Sequence, residues 1–109
     1  MAYGQAWALA FLFTQMVEVP IYTVGLRVGV LPAFGASAIT HPVLWFVIFP
    51  YLHLPYVWLI VVGESFAVLV EAAYFAYPFR RRLALLWSLL ANAASFGTGM
   101  ISRWLFGMP

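Results

Sequence analysis

The sequence predicts an all-α integral membrane protein whose four transmembrane helices form a single bundle. Of its 109 residues, 66% are hydrophobic and only 7% are charged, whereas soluble domains carry about 25% charged residues. The mean hydropathy is +1.00. A surface with so few charges requires lipid as its main solvent. Because a helix needs about 20 residues to cross a bilayer, these residues have room for four spans and short loops, and for no soluble domain.

Four long apolar runs define the predicted spans. The first two cover about residues 5–26 and 30–49, and the last two cover about 55–77 and 83–106. Barrel strands fit less well, because they alternate in polarity over about 10 residues. An alternative is that Pro42 splits the second span into a re-entrant pair, which would make the number of crossings odd. Membrane helices tolerate proline, however, so four helices are predicted.

Arginine placement predicts the orientation. Arg27 and the triplet at 80–82 lie in the first and third turns, and basic residues near helix ends are retained on the cytoplasmic side. Both termini are therefore expected to face outward from a bacterial inner membrane, with Arg103 as the one residue that opposes this assignment. Aromatic residues are expected at both membrane interfaces. The inner group is Tyr22, Tyr74, Tyr77 and Trp87, and the outer group is Tyr3, Trp7, Trp45, Tyr51, Tyr56, Trp58 and Trp104.

The two halves of the chain share the pattern E-x8-R followed by A-[SN]-A-x-[ST]. Glu18 precedes Arg27 by nine residues, as Glu71 precedes Arg80, and after a two-residue insertion ASAIT at 36–40 corresponds to ANAAS at 91–95. The first and third spans cross the membrane in the same direction. The sequence therefore predicts a parallel internal repeat of two helices, with a pseudo-twofold axis along the membrane normal. Chance matches between Ala positions are common in an Ala-rich chain. The prediction therefore depends on the two matched Glu residues, because Glu is rare in membrane spans.

Several of these segments carry a resemblance. THPVLW, VLVEAAY and RRRLALLWSLLANAASFGTG resemble a group of small bacterial four-span inner-membrane proteins. That group shows an early Glu, an N-x-x-T-x-P element, a second Glu followed by Tyr, and a terminal A-N-x-x-S-x-x-x-G helix. Here the first element reads SAITHP, so Ser37 replaces its Asn. The resemblance implies the four-span architecture and implies no particular chemistry.

Polar residues inside the predicted spans form the candidate site. All three acidic residues, Glu18, Glu64 and Glu71, fall there, although a charged carboxylate near the bilayer centre costs several kcal/mol. Glu64 and Glu71 share one face of the third span. Counting 1.5 Å per residue from the turns predicts two layers. The lower layer holds Glu18 and Glu71, and the upper one holds Glu64, His41, Thr40, Asn92 and Ser95.

These polar residues have both a structural and a functional interpretation. Asn, Ser, Thr and protonated Glu can form hydrogen bonds between membrane helices, and each such bond contributes about 1 kcal/mol. Such hydrogen bonding is sufficient to explain the polar stripe on the fourth span. The stripe comprises Ser88, Asn92, Ser95 and Gly99. For the Glu residues, the alternative is a site for protons, a cation or a bound partner.

The sequence does not favour a disulfide, a thiolate site, a catalytic triad or a metal site. The chain has no Cys and therefore no disulfide or thiolate site, and it has no Asp for a Ser-His-Asp triad. A metal site at Glu18, His41, Glu64 and Glu71 lacks the paired Glu-x-x-His elements of di-iron bundles. No metal and no cofactor are predicted. The net charge of +2 comes from Arg in a membrane-flanking pattern, so nucleic acid is not an expected partner.

The leading functional prediction is a small non-enzymatic subunit or assembly factor of a larger membrane complex. Buried Glu, His and Asn would then fix helix packing or receive a partner. Lipid and either other membrane subunits or further copies of the chain are the expected partners. The first alternative is a proton- or cation-conducting transporter that uses the intramembrane Glu residues, and the second is an intramembrane enzyme.

The orientation is testable by cysteine labelling, because the natural chain contains no Cys. A Cys introduced beside Arg81 is expected to resist an impermeant thiol reagent added from the periplasm. Labelling from that side would reverse the predicted topology.

Overall fold

Within residues 2–107, which the computed structural model describes, the chain forms four long helices. They are α1 (Tyr3–Gly25), α2 (Val30–Tyr51), α3 (Tyr56–Ala76) and α4 (Ala84–Phe106), and each is long and apolar enough to cross a membrane. The described residues contain no strand. The all-α, four-helix prediction is therefore confirmed.

Helix α2 continues through Pro42 as one span. Proline at this position removes an N–H and leaves the Ala38 carbonyl without its usual helical partner. Two residues later the helix widens into a π-helical segment, Leu44–Ile48, and then ends with the turn Phe49–Tyr51. Such wide turns absorb an irregularity without ending the helix. The re-entrant alternative at Pro42 is therefore not what the chain adopts.

The helices pack as a square in chain order. Helices α1 and α3 each pack against both α2 and α4, so α1 and α3 lie diagonally opposite and run in the same direction. The first and third loops lie at one end, where the Arg81 guanidinium donates to the backbone carbonyl of Arg27 at 3.4 Å. The even number of spans among the described residues places both chain ends at the opposite end. Which end faces the cytoplasm stays a prediction.

The end of the bundle nearest the arginine loops is closely packed. Tyr22 and Phe75 are both fully buried, and their ring centroids lie 4.5 Å apart across the bundle. Small side chains surround them and let the helices approach closely; these are Ala33, Ala36, Ala84 and Ala91. The other half of the bundle is wider. Large apolar side chains such as Leu31 and Trp104 point outward, toward lipid.

At Gly25, α1 packs tightly against the Trp87 ring of α4. A Cβ atom added there would overlap three ring carbons of Trp87, whereas one added at Gly97 would meet nothing within 4 Å. Overpacking of this kind costs about 1–3 kcal/mol. At an open helical position, Ala in place of Gly is instead favourable by up to about 1 kcal/mol.

We therefore expect Gly25→Ala to lower the melting temperature of the detergent-solubilised protein and Gly97→Ala to leave it unchanged or raise it slightly. The measurement is thermal unfolding of both variants beside the natural sequence. Equal stability of the two variants would contradict the close packing of α1 on α4.

Candidate functional site

Glu18 and Glu71 form a pair at the centre of the bundle. Each is 1% exposed, and both carboxyl groups accept hydrogen bonds from the same two helices, α2 and α4. They project from the diagonal helices α1 and α3. Both carboxyls therefore face the bundle interior.

Neutral side chains donate hydrogen bonds to both carboxyls. Ser37 and Ser95 each donate to Glu18, both at 2.7 Å. Thr40 and Asn92 donate to Glu71 at 2.6 and 3.1 Å. The Tyr22 hydroxyl also donates to Glu71. The donors to the pair thus lie on three of the four helices, α1, α2 and α4.

The donors are arranged reciprocally. Glu18 accepts from Ser37 of its own helical hairpin and from Ser95 of the other hairpin. Glu71 accepts from Asn92 of its own hairpin and from Thr40 of the other one. In the shared sequence pattern, each Glu therefore accepts a hydrogen bond from the [SN] residue of its own hairpin and another from the [ST] residue of the other hairpin.

The backbone of the two arginine loops is also similar in the two hairpins. Nine residues after each Glu, Arg27 and Arg80 adopt left-handed conformations with φ of 56° and 53°. A left-handed non-glycine residue is uncommon. Each loop therefore contains a left-handed residue at the same distance in sequence from the Glu of its hairpin.

The layer assignment made from the sequence is wrong for three residues. Thr40, Asn92 and Ser95 were expected above the Glu pair, yet they bind it directly. Side chains tilt toward the N-terminus of their own helix. Glu side chains on α1 and α3 therefore lean one way along the bundle axis, and side chains on the antiparallel α2 and α4 lean the other way. Counting Cα positions misses this convergence.

Above the pair lies a cavity of about 410 Å³. Glu18 and Glu71 line its deep end, and Tyr3, Tyr56 and Arg103, all exposed, line its mouth. The mouth lies at the end of the bundle that carries both chain ends. Tyr22 and Phe75 close the opposite side. The carboxyl pair is therefore reached from one end of the bundle.

His41 and Glu64 lie along the wall of this cavity. The His41 ring approaches the Thr14 hydroxyl through Nε2 at 3.4 Å, while its Nδ1 is buried without a partner among the described residues. Glu64 is half-buried. It lines the same cavity as Glu71, as their shared helix face predicts. The structure thus brings all seven candidate residues to one cavity.

Tyr22, Thr14 and Arg103 were missed as site residues. Tyr22 was expected in the inner aromatic belt, but it is fully buried and binds Glu71. Its position four residues after Glu18, on the same helix face, was the available signal. Arg103 opposed the charge rule for topology, and the structure places it at the cavity mouth, where it donates to the Tyr56 hydroxyl at 3.3 Å.

The residues of the polar stripe on α4 have two different roles. Ser88 donates to the backbone carbonyl of Val68 on α3 at 2.8 Å, which is helix-to-helix bonding of the expected kind. Asn92 and Ser95 instead donate to the carboxyl pair. One stripe therefore contributes to both packing and the site.

The fold and site define an integral membrane protein with a carboxyl pair at the base of an internal cavity. Comparisons with models of known families, with curated proteins and with solved structures found no match for this chain. The resemblance to small bacterial four-span proteins stays a prediction.

Removing a donor from the pair is expected to destabilise the bundle. Thr40→Val preserves shape but leaves a buried carboxyl oxygen without its donor, at a cost of about 1–2 kcal/mol, and Ser95→Ala should cost a similar amount. Thr98→Val is the matched control, because Thr98 is exposed and bonds only within its own helix. Thermal unfolding in detergent measures all three. Equal melting temperatures for Thr40→Val and Thr98→Val would contradict the donor role.

Proposed function

We propose that this protein is a small membrane transport protein that moves a proton or another cation, with Glu18 and Glu71 as the acceptor site. The observation that carries the proposal is the buried carboxyl pair at the base of an open cavity. An ionisable group inside a membrane protein is by default a candidate for such a pathway.

The charge balance of the pair supports this proposal. Within residues 2–107, every side chain that donates to the two carboxyls is neutral. Neutral donors stabilise a negative charge without cancelling it, and two neighbouring carboxylates repel one another. A proton or a cation supplies the missing positive charge.

Side chains at the closed end of the cavity can couple the opening of that end to the state of the carboxyl pair. Tyr22 both donates to Glu71 and packs against Phe75 in the closed end. A change at the Glu71 carboxyl therefore acts directly on the side chain that separates the cavity from the arginine loops. Transport requires this end to open, and we infer that Tyr22 links that opening to the occupancy of the pair.

We also infer that the two hairpins descend from a duplicated unit. The reciprocal donors to Glu18 and Glu71 support this origin, as do the left-handed conformations of Arg27 and Arg80. A parallel repeat related by an axis along the membrane normal places symmetry-related groups at one depth. That is the geometry a central carboxyl pair requires.

The leading prediction from the sequence, a subunit or assembly factor, is less well supported by this geometry. A partner helix packed on the outer surface would not reach Glu18 or Glu71, because both face the interior. Assembly with other subunits or with further copies stays a prediction, as does the bacterial inner membrane as its location.

The proposal predicts flux from the purified chain. In liposomes, the natural sequence is expected to carry protons or a monovalent cation down an imposed gradient, and Glu71→Gln is expected to reduce that flux at least tenfold because it removes an ionisable acceptor. Thr98→Ala serves as the control with unchanged flux. Dye-reported flux and the melting temperature are measured together.

Absence of flux from the natural sequence would overturn the transport proposal. The subunit prediction would then lead, and the size in mild detergent with identification of co-purifying chains would test it.

A further inference from the structure

We propose that the cavity above the carboxyl pair binds an organic amine, with its protonated nitrogen at Glu64 and His41 and its apolar body against the wall at Trp45 and Phe49. This inference deepens the proposed function and rests on it, since it names the class of cation.

The volume of the cavity favours an organic ligand. A water molecule occupies about 30 Å³ of liquid volume, and small-molecule sites span about 300–1,000 Å³. At about 410 Å³, this cavity falls within the small-molecule range. A proton or a bare metal ion would leave most of that volume to water.

Two acceptors in the cavity wall lack donors. His41 is 8% exposed, and its Nδ1 is buried with no partner in the described part of the chain. When Nε2 carries the proton toward Thr14, Nδ1 is an acceptor. Glu64 lines the same cavity, and none of the hydrogen bonds within residues 2–107 involves its carboxyl. An ammonium group carries several N–H donors and no acceptor, so it complements both groups.

The aromatic wall suits an organic cation. Trp45 stacks on His41 with ring centroids 6.0 Å apart and 21° between the planes, and Phe49 packs next to Trp45 at 6.2 Å. Aromatic faces attract cations and bury apolar groups. Among the described residues no three His, Asp or Glu side chains lie together as metal ligands, which makes a metal ion the poorer match.

The charges around the cavity favour a cation. Glu18 and Glu71 lie at its deep end and Glu64 along its wall, while Arg103 is the one basic residue that lines the part of the cavity described here. Arg103 is exposed at the mouth, where its charge is screened by water and salt. Three carboxyls thus act on the interior against one screened guanidinium.

The test uses 2-phenylethylamine and its neutral analogue 2-phenylethanol, titrated calorimetrically into the full chain in mild detergent with protein-free micelles subtracted. The amine is expected to bind at least tenfold more tightly than the alcohol. Glu64→Gln is expected to weaken amine binding at least tenfold and to leave alcohol binding unchanged. Thr98→Ala is the control and should bind both ligands as the natural sequence does.

Equal affinities for amine and alcohol in the natural sequence would overturn the inference, and so would unchanged amine affinity in a folded Glu64→Gln variant. If Glu64→Gln fails to fold, the ratio of amine to alcohol affinity in the natural sequence still decides the question. Proton flux without preferential amine binding would overturn the amine site and leave the transport proposal standing. Amine binding without flux would support the site and overturn transport.

Discussion

Two carboxyl groups buried side by side in a membrane bundle need hydrogen-bond donors, and this need determines how the other side chains are arranged. Burying an unsatisfied charged group costs far more than any single helix contact returns. Donors from α1, α2 and α4 converge on Glu18 and Glu71. A shift of any of these helices along its axis would break one of these bonds, so the pair fixes the register of the bundle.

The pair also separates two halves of the bundle that are built differently. On the side of the arginine loops, small Ala side chains and the packed rings of Tyr22 and Phe75 fill the interior. On the other side, the wider packing leaves a cavity with polar groups in its wall. The carboxyls thus lie between a closely packed half and a half with a cavity, and they line the deep end of that cavity. A membrane bundle can keep polar groups at this depth because they face such a cavity instead of lipid.

The sequence was sufficient for much of this architecture and insufficient for its finer geometry. Apolar run length predicts four helices, and the cost of a membrane carboxylate predicts that Glu18 and Glu71 face inward. The sequence could not place Thr40 and Asn92 beside Glu71, because the opposite lean of side chains on antiparallel helices becomes visible only in three dimensions. Aromatic-belt placement alone groups the buried Tyr22 with Tyr77, which is 80% exposed. Only the spacing of Tyr22 from Glu18, four residues along the same helix face, separates the two.

Glu64 and His41, which line the cavity, have no polar counterpart in the sequence pattern that the two hairpins share. In the alignment of the two hairpins, Glu64 corresponds to Phe11 and His41 corresponds to Phe96. Four of the five donors to the carboxyl pair, Ser37, Thr40, Asn92 and Ser95, occupy positions that are polar in both halves, whereas Tyr22 corresponds to Phe75. At the positions of Glu64 and His41, however, the other half satisfies the bundle with phenylalanine. Packing around the pair therefore accounts for the polar residues at these four positions, and it does not account for Glu64 and His41. Both of these residues line the cavity, so the proposed amine gives their polar groups a role that packing does not.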